Sequence, residues 1–312
     1  MVNYFFRLNL NYLNNYTKVK ILITGASGFI GRKLIPYLLA ENHELILHSF
    51  NQSLQLEYPN SFNLRCDICD IHSQFESELD VIIHMASAGI SNRSVDYDML
   101  FEKNVKGTLK VLELARDRAA SLVVLGSFSE YGKSANHYKF IPENAPLQPT
   151  YPYAASKAAM SILCDTYCNE HMINSRYLRL FNVYGDGMPS SYLWEVLRTA
   201  SINNQEVYLS PGEQIRDFLH VSSVINVIIS ILRSSFIGCN TFNVGSGFPL
   251  SIRNFAEHWW ATWDCDPSLL RFGSLPYREN EVMRYVPRVD KLLLDSIRIA
   301  HDYSWCENLL IN

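Results

Sequence analysis

A doubly wound, mostly parallel α/β sheet with a smaller C-terminal α/β lobe is the fold that this sequence predicts. Three observations carry the prediction. A short β-branched run, Val19 to Ile23, passes at once into the glycine-rich stretch Thr24 to Gly31, which opens a segment of helical apolar spacing. Short apolar runs and helical periods then alternate as far as Leu180, as parallel strands joined by crossover helices require. The chain has 312 residues, 48% hydrophobic and 19% charged, which suits one large α/β unit with an appended lobe.

The elements follow in order. Residues 1–17 are rich in Asn and Tyr, hold no long apolar stretch, and read as a tail rather than a secretory leader. Val19 to Ile23 is short and apolar, as a strand buried on both faces must be. Ile30, Leu34, Ile35, Leu38 and Leu39 recur at helical spacing and predict a helix over 29–40, after which 44–50 returns to strand. Strands are predicted over 81–85, 121–127 and 175–180, and helices over 101–116 and 153–171. Past Asn182 the pattern loosens. A helix over 220–233 and a strand over 241–244 read as returning to the main sheet. The main domain is therefore expected over 18–182 and 215–244, with 183–214 and 245–312 forming an interleaved second lobe.

Composition narrows the function. Lys plus Arg number 27 and Asp plus Glu 31, a net charge of -4, so broad neutralisation of nucleic-acid phosphates is not expected. No apolar run approaches the roughly 18 residues of a membrane span. Seven cysteines are too sparse for a disulfide framework, and the C-x-x-C of Cys66 and Cys69 has no second pair. No metal is expected, and reduced thiols in a cytoplasmic setting are.

Thr24 to Gly31 reads T-G-A-S-G-F-I-G between a strand and a helix. Small residues there let backbone N–H groups approach a pyrophosphate, and the helix N-terminus adds positive potential. The spacing G-x-x-G-x-x-G, with Tyr153-Ala-Ala-Ser-Lys157 opening a helix and Ser127 ending a strand 26 residues upstream, resembles the short-chain dehydrogenase/reductase superfamily. The resemblance implies a Rossmann-type sheet, a nicotinamide cofactor, and Ser127, Tyr153 and Lys157 as the catalytic set. A free phenol, with a pKa near 10, is a poor base at neutral pH. A lysine four residues on lies on the same helix face, where its charge lowers that pKa, and the serine hydroxyl can bond the reacting oxygen.

Further motifs resemble the superfamily's extended branch, the NAD-dependent epimerase/dehydratase family acting on nucleotide sugars. Cys66-Asp67-Ile68 resembles the D-[IVL] that meets adenine. His84-Met85-Ala86-Ser87-Ala88 resembles the H-x-A-[AS] loop beside the pyrophosphate and nicotinamide ribose. Asn104-Val105-Lys106-Gly107-Thr108 resembles N-V-x-G-T, whose Asn supports the active-site strand. Arg179 to Gly185 resembles R-x-x-N-V-Y-G, whose Asn, here Asn182, meets the substrate's diphosphate region. Arg216-Asp217-Phe218-Leu219-His220-Val221 resembles the block whose Arg pairs with substrate phosphate, and Arg278-Glu-Asn-Glu281 resembles the late R-x-x-[DE] element of the nucleotide pocket.

The resemblance thus implies a cofactor site of Gly25, Ser27, Gly28, Phe29, Ile30, Gly31, Asp67, Ile68, Met85, Ala86, Ser87, Asn104, Tyr153 and Lys157. The implied substrate site holds Ser87, Ser127, Ser129, Tyr153, Asn182, Arg216, Arg278 and Glu281. Arg216 beside Asp217 and Arg278 beside Glu279 also have a plainer reading, as surface ion pairs worth under about 1 kcal/mol. A homodimer is implied as well, through the helices over 101–116 and 153–171.

One departure bears on the reaction. The family's 4,6-dehydratases carry T-D-E-V-Y-G, whose Asp and Glu serve as acid and base for losing water. Here the segment is Ser127-Phe128-Ser129-Glu130-Tyr131-Gly132. Phe128 cannot transfer a proton, and Glu130 is displaced by one residue, which on a strand turns it to the other face. Dehydration is therefore not expected. Reduction of a 4-keto-(deoxy)hexose nucleotide is the leading expectation. A 4-epimerase with retained NAD is the alternative, and a non-catalytic NAD(P)H sensor is a third reading. The segments 212–218 and 272–283 are similar to abequose-synthase-type reductases.

Either NADP(H) or NAD(H) fits, with NADP(H) preferred. No Asp or Glu occurs between Glu44 and Glu57 to meet the adenosine ribose. Ser49, Asn51 and Ser53 could bond a 2′-phosphate, and His48 or Arg32 could add charge.

Overall fold

The computed structural model describes residues 18–50, 54, 57–89, 96–234, 236–307 and 309; the tail over 1–17 and the candidates Asn51 and Ser53 lie outside them. Its first half runs β1 (Lys20–Thr24), α1 (Phe29–Ala40), β2 (Glu44–Ser49), β3 (Phe62–Arg65), β4 (Val81–His84) and α2 (Tyr97–Leu100). A π-helical stretch, Phe101–Lys106, leads into α3 (Gly107–Asp117), β5 (Ser121–Ser127), α4 (Pro152–Glu170) and β6 (Ser175–Leu180). There follow β7 (Val183–Tyr184), α5 (Leu193–Asn203), β8 (Val207–Leu209), β9 (Ile215–Asp217), β10 (Leu219–His220), α6 (Val221–Leu232) and β11 (Cys239–Val244). The chain closes with β12 (Pro249–Ser251), α7 (Ile252–Thr262), β13 (Leu270–Phe272), β14 (Arg284–Tyr285), α8 (Lys291–Ala300) and α9 (Ser304–Glu307).

Seven strands pair in the order β3-β2-β1-β4-β5-β6-β11, every pair parallel. The side-chain period of two splits the strands between two helix layers. Ile21 and Ile23 face one core with Leu34 and Leu38 of α1 and Val224 and Ile228 of α6. Leu22 and Ile82 face the other with Leu112 of α3 and Met160 of α4. The chain winds from β1 outward through β2 and β3, then restarts at β4 on β1's other side. That reversal opens a crevice at the carboxyl ends of β1 and β4, where doubly wound sheets bind ligands. Thr24 and His84 are register partners at its floor.

Two local details differ from the sequence reading. The helix expected over 101–116 begins four residues earlier, with α2, and its stretch from Phe101 to Lys106 is π-helical. The wider turn there aims Asn104 inward, where it is 1% exposed. Ile215–Asp217, where the sequence reading places no strand, is the middle strand of a small sheet of β12, β9 and β14. Those residues sit on a strand too short for periodicity to assign. β11 lies in register with β6 from Cys239 to Val244 at the edge of the large sheet. Trp194, Phe255, Trp259 and Trp260 fill the core of the second lobe, with the rings of Trp194 and Trp259 4.8 Å apart.

Candidate active site

The glycine turn is shaped for close approach. Gly25 has φ +70°, and a Cβ there would come within 2.7 Å of Ala86 N. At Gly31 a Cβ would lie 2.5 Å from Ala26 O, which lets α1 start hard against the turn. Gly28 caps α1 with no side-chain hydrogen bond, so the helix's first N–H groups face the crevice uncovered by a cap. Phe29 and Ile30 pack half-buried on the core below, and Ser27 O accepts from Arg32 Nε at 3.0 Å. The glycines let the turn pack against Ala86 and Ala26 and present the first N–H groups of α1, which suits the pyrophosphate of a dinucleotide.

A hydrogen-bond chain fixes the floor. Met85 N and Ala86 N both donate to Thr24 Oγ1 at 3.2 Å, so the Thr24 hydroxyl proton goes to His84 Nδ1, 2.7 Å away. Thr108 donates its own proton to Asn104 O and accepts from His84 Nε2 at 2.9 Å. His84 is therefore a neutral imidazole protonated on Nε2. Burial first, then the charge of Lys157, lower its pKa to about 3. Asn104 braces the next loop. Its Oδ1 accepts from Ala88 N at 2.7 Å and from Ser87 Oγ at 3.3 Å. Its Nδ2 lies 3.1 Å from Ala88 O and 2.9 Å from Ser156 Oγ, and Ser156 in turn donates to Tyr153 O at 2.8 Å. One buried amide thus joins the Met85–Ala88 loop to the first turn of α4.

Ser127, Tyr153 and Lys157 sit around this brace. Ser127 ends β5 and caps the turn after it, with its Oγ 2.8 Å from Ser129 Oγ. Pro152 starts α4, which puts Tyr153 on the first turn and Lys157 one turn deeper, 2% exposed. Lys157 Nζ donates to Leu125 O at 2.6 Å and lies 3.3 Å from Met160 Sδ. Burial brings its pKa down to about 8, against the Glu130 charge, which pulls it back up. The expectation that Lys157 lowers the Tyr153 pKa meets a different balance. Burial comes first, then the nearby Tyr151 and Tyr192, and they push the phenol up, while a hydrogen bond with Ser87 eases it. Tyr151 and Tyr192 were not singled out from the sequence; among 18 tyrosines nothing marks them before the fold does.

Phe128 packs against Tyr285 at 4.8 Å and Phe181 at 5.6 Å, so an aromatic wall stands where dehydratases carry an acid. Glu130 is fully buried, and it lies on a 3₁₀ turn after β5 rather than on a strand as expected, its carboxylate folded back to accept from Ser127 N. At the far end Arg216 is buried, its guanidinium 5.3 Å over Tyr285 and its Nη2 2.5 Å from Glu281 Oε1. This replaces the surface-pair reading of Arg216 with Asp217, which instead accepts from Ser246 N, Ser246 Oγ and Gly247 N. Asn182 Nδ2 donates to Asp217 O at 3.1 Å, on the same side. Arg278 lies on an exposed turn, and its carbonyl accepts from Glu281 N.

The adenosine end corrects one expectation. His48 is 2% exposed, bonds Cys66 O through Nε2, and is held neutral because burial lowers its pKa. It supplies no charge for a 2′-phosphate. Arg32 is paired with Glu57, an acid that the spacing from the glycines did not point to. Ser49 is buried on β2. Asp67 accepts from Cys69 N at 2.9 Å and pairs with Lys103 at 2.7 Å. Burial raises its pKa, but those two bonds outweigh it and hold the carboxyl below its ordinary value. Ile68, beside it, is buried under α3.

The chain is similar to known proteins over most of its length. The chain is 29% identical over 255 residues to UDP-glucose 4-epimerase of Mycolicibacterium smegmatis, covering 75% of this chain and 80% of that protein. It is 26% identical over 279 residues to CDP-abequose synthase of Salmonella typhimurium, covering 86% and 89%. Its fold superposes on a dTDP-glucose 4,6-dehydratase from Bacillus anthracis, in complex with NAD, with a TM-score of 0.79 and 21% identity over 93% of this chain and 94% of that one. The model of the NAD dependent epimerase/dehydratase family matches residues 21–245, and the chain belongs to that family.

Proposed function

We propose that this enzyme reduces a 4-keto-(deoxy)hexose nucleotide, with Tyr153 as general acid. The observation that carries the reading is the wall at Phe128. Ser127, Tyr153 and Lys157 are retained for hydride chemistry, while Phe128 and Ser129 stand where an acid and a base would remove water. When bound, the nicotinamide supplies the hydride. Ser127 Oγ and Tyr153 OH hold the C4 oxygen, and Tyr153 delivers the proton that this oxygen needs as it becomes a hydroxyl. Lys157, protonated below about pH 8, keeps positive charge behind the phenol. Arg216 takes the diphosphate, exchanging Glu281 for it, because a guanidinium fork matches two phosphate oxygens. Asn182 lies alongside, and Arg278 reaches in from its exposed turn.

NADP(H) fits a reductase that exchanges cofactor at each turnover, and a 2′-phosphate could take the place of Glu57 on Arg32. The Arg32–Glu57 pair favours a second reading as well, in which Glu57 meets the ribose of a retained NAD and the enzyme is a 4-epimerase. A panel of nucleotide sugars and their 4-keto forms, watched at the nicotinamide absorbance, tests the proposal. Oxidation of NADPH or NADH by a 4-keto sugar supports reduction. Absorbance that stays flat with every 4-keto sugar contradicts it.

A further inference from the structure

We propose that the buried Glu130–Arg179 pair is a strut that positions Ser127 and sets a fixed negative charge behind Lys157. The inference rests on the catalytic reading above but concerns residues outside it. Dehydratases of the family carry Val where Glu130 stands in T-D-E-V-Y-G. Here a fully buried carboxylate takes that place. Its Oε1 accepts from Ser127 N at 2.8 Å and from Tyr177 OH at 2.8 Å, and its Oε2 accepts from Arg179 Nε at 2.7 Å. Arg179 directs three further donors to Tyr131 OH at 3.0 Å, Glu143 O at 2.8 Å and Ser161 Oγ at 2.9 Å. One carboxylate therefore ties the turn after β5 to β6, and the guanidinium carries the tie on to α4.

The backbone is shaped around it. A Cβ on Gly126 would fall 2.8 Å from Glu130 Oε1 and 2.2 Å from the Tyr177 ring, so the glycine leaves the space that the strut fills. The groups facing Glu130 are Arg179 and Tyr177 on β6, Lys157, Cys164 and, on its first turn, Tyr153 of α4, and Tyr131 on its own turn. Of these, Arg179 and Lys157 carry positive charge. Glu130 pulls the Lys157 pKa up against burial. A charged pair so deep needs every lone pair satisfied, and this one has donors on both oxygens. Glu130 and Arg179 are positioning residues, because neither faces the crevice.

The test compares Glu130→Gln with the double variant Glu130→Val, Arg179→Leu, which replaces the pair by apolar side chains if an unpaired Arg179 prevents folding. Folding is checked by circular dichroism, and Arg179→Lys, which retains both charges, keeps the test open if neither variant folds. A folded variant without the Glu130 charge should lose at least about 10-fold in kcat while KM for the nucleotide sugar changes by less than about 3-fold. In Glu130→Gln, which keeps the Arg179 charge, the alkaline limb of the pH–rate profile should move to lower pH, because Lys157 loses the negative charge that holds its proton. Arg179→Lys should lower kcat but leave that limb where it is. A folded variant with kcat within about 2-fold of wild type and an unmoved limb overturns the strut. Wild-type protein without nicotinamide-linked turnover on any substrate would instead overturn the catalytic reading, and the strut's role with it.

Discussion

Tyr153 and Lys157 are buried enough that their proton equilibria are set by the protein and not by water. Burial raises the phenol and lowers the ammonium, so at neutral pH the phenol holds its proton and the lysine remains charged. That is the state a reducing enzyme needs, with a proton ready for the nascent alkoxide. Tyr153→Phe should therefore lower turnover at least about 100-fold while dinucleotide binding survives, since the glycine turn is untouched. Steady-state rates and a cofactor titration check this. The sign of the pH dependence follows from Lys157. Its folded pKa, about 8, lies below the ordinary lysine value, so the charge is present below pH 8 and lost above it. The rate should fall on the alkaline side of about pH 8, as read from a pH–rate profile at saturating substrate. At this scale the family resemblance named Ser127, Tyr153 and Lys157, and the structure puts Ser127 at the end of β5 and Tyr153 and Lys157 one turn apart on α4. The partner of Arg216 was not legible in the sequence, because Glu281 is 65 residues away and Asp217 adjacent, and only the fold shows which one the guanidinium meets.

Elements carry the geometry that spacing cannot express. Apolar runs and helical periods located the long segments, and α1 falls on the predicted 29–40. The π-helical stretch was not legible, because an added residue in one turn leaves no mark on a short apolar period. β9 was not legible as a strand for a related reason: three residues have no period, and their partners are set by β12 and β14. The π stretch matters to the site, since it points Asn104 at both Ala88 and Ser156. Asn104→Ala should destabilise the protein by roughly 1–3 kcal/mol, because buried partners are left unsatisfied. Denaturant unfolding would measure the loss, and the same variant should also lower turnover by loosening the Ser87 loop against Tyr153.

On the scale of the whole molecule, the parallel order of the sheet puts the glycine turn, the Ser87 loop and Ser127 along one edge, and Arg216 lies over Tyr285, whose ring packs on Phe128 next to Ser127. The opposite side of the α2, π and α4 helices leaves Tyr97 54%, Phe101 38% and Ile162 60% exposed, an apolar face that suits a second copy. Light scattering should give a mass of twice 35.8 kDa, and Ile162→Glu should halve it. A monomer at micromolar concentration would contradict the dimer. The central claim is net hydride transfer to a 4-keto sugar, and its most direct measurement uses NADPH or NADH deuterated at the transferred position. The account predicts one deuterium at C4 of the sugar product for each nicotinamide oxidised. Interconversion of two 4-epimers without added cofactor, with no deuterium incorporated and stoichiometric NAD released on denaturation, would contradict it.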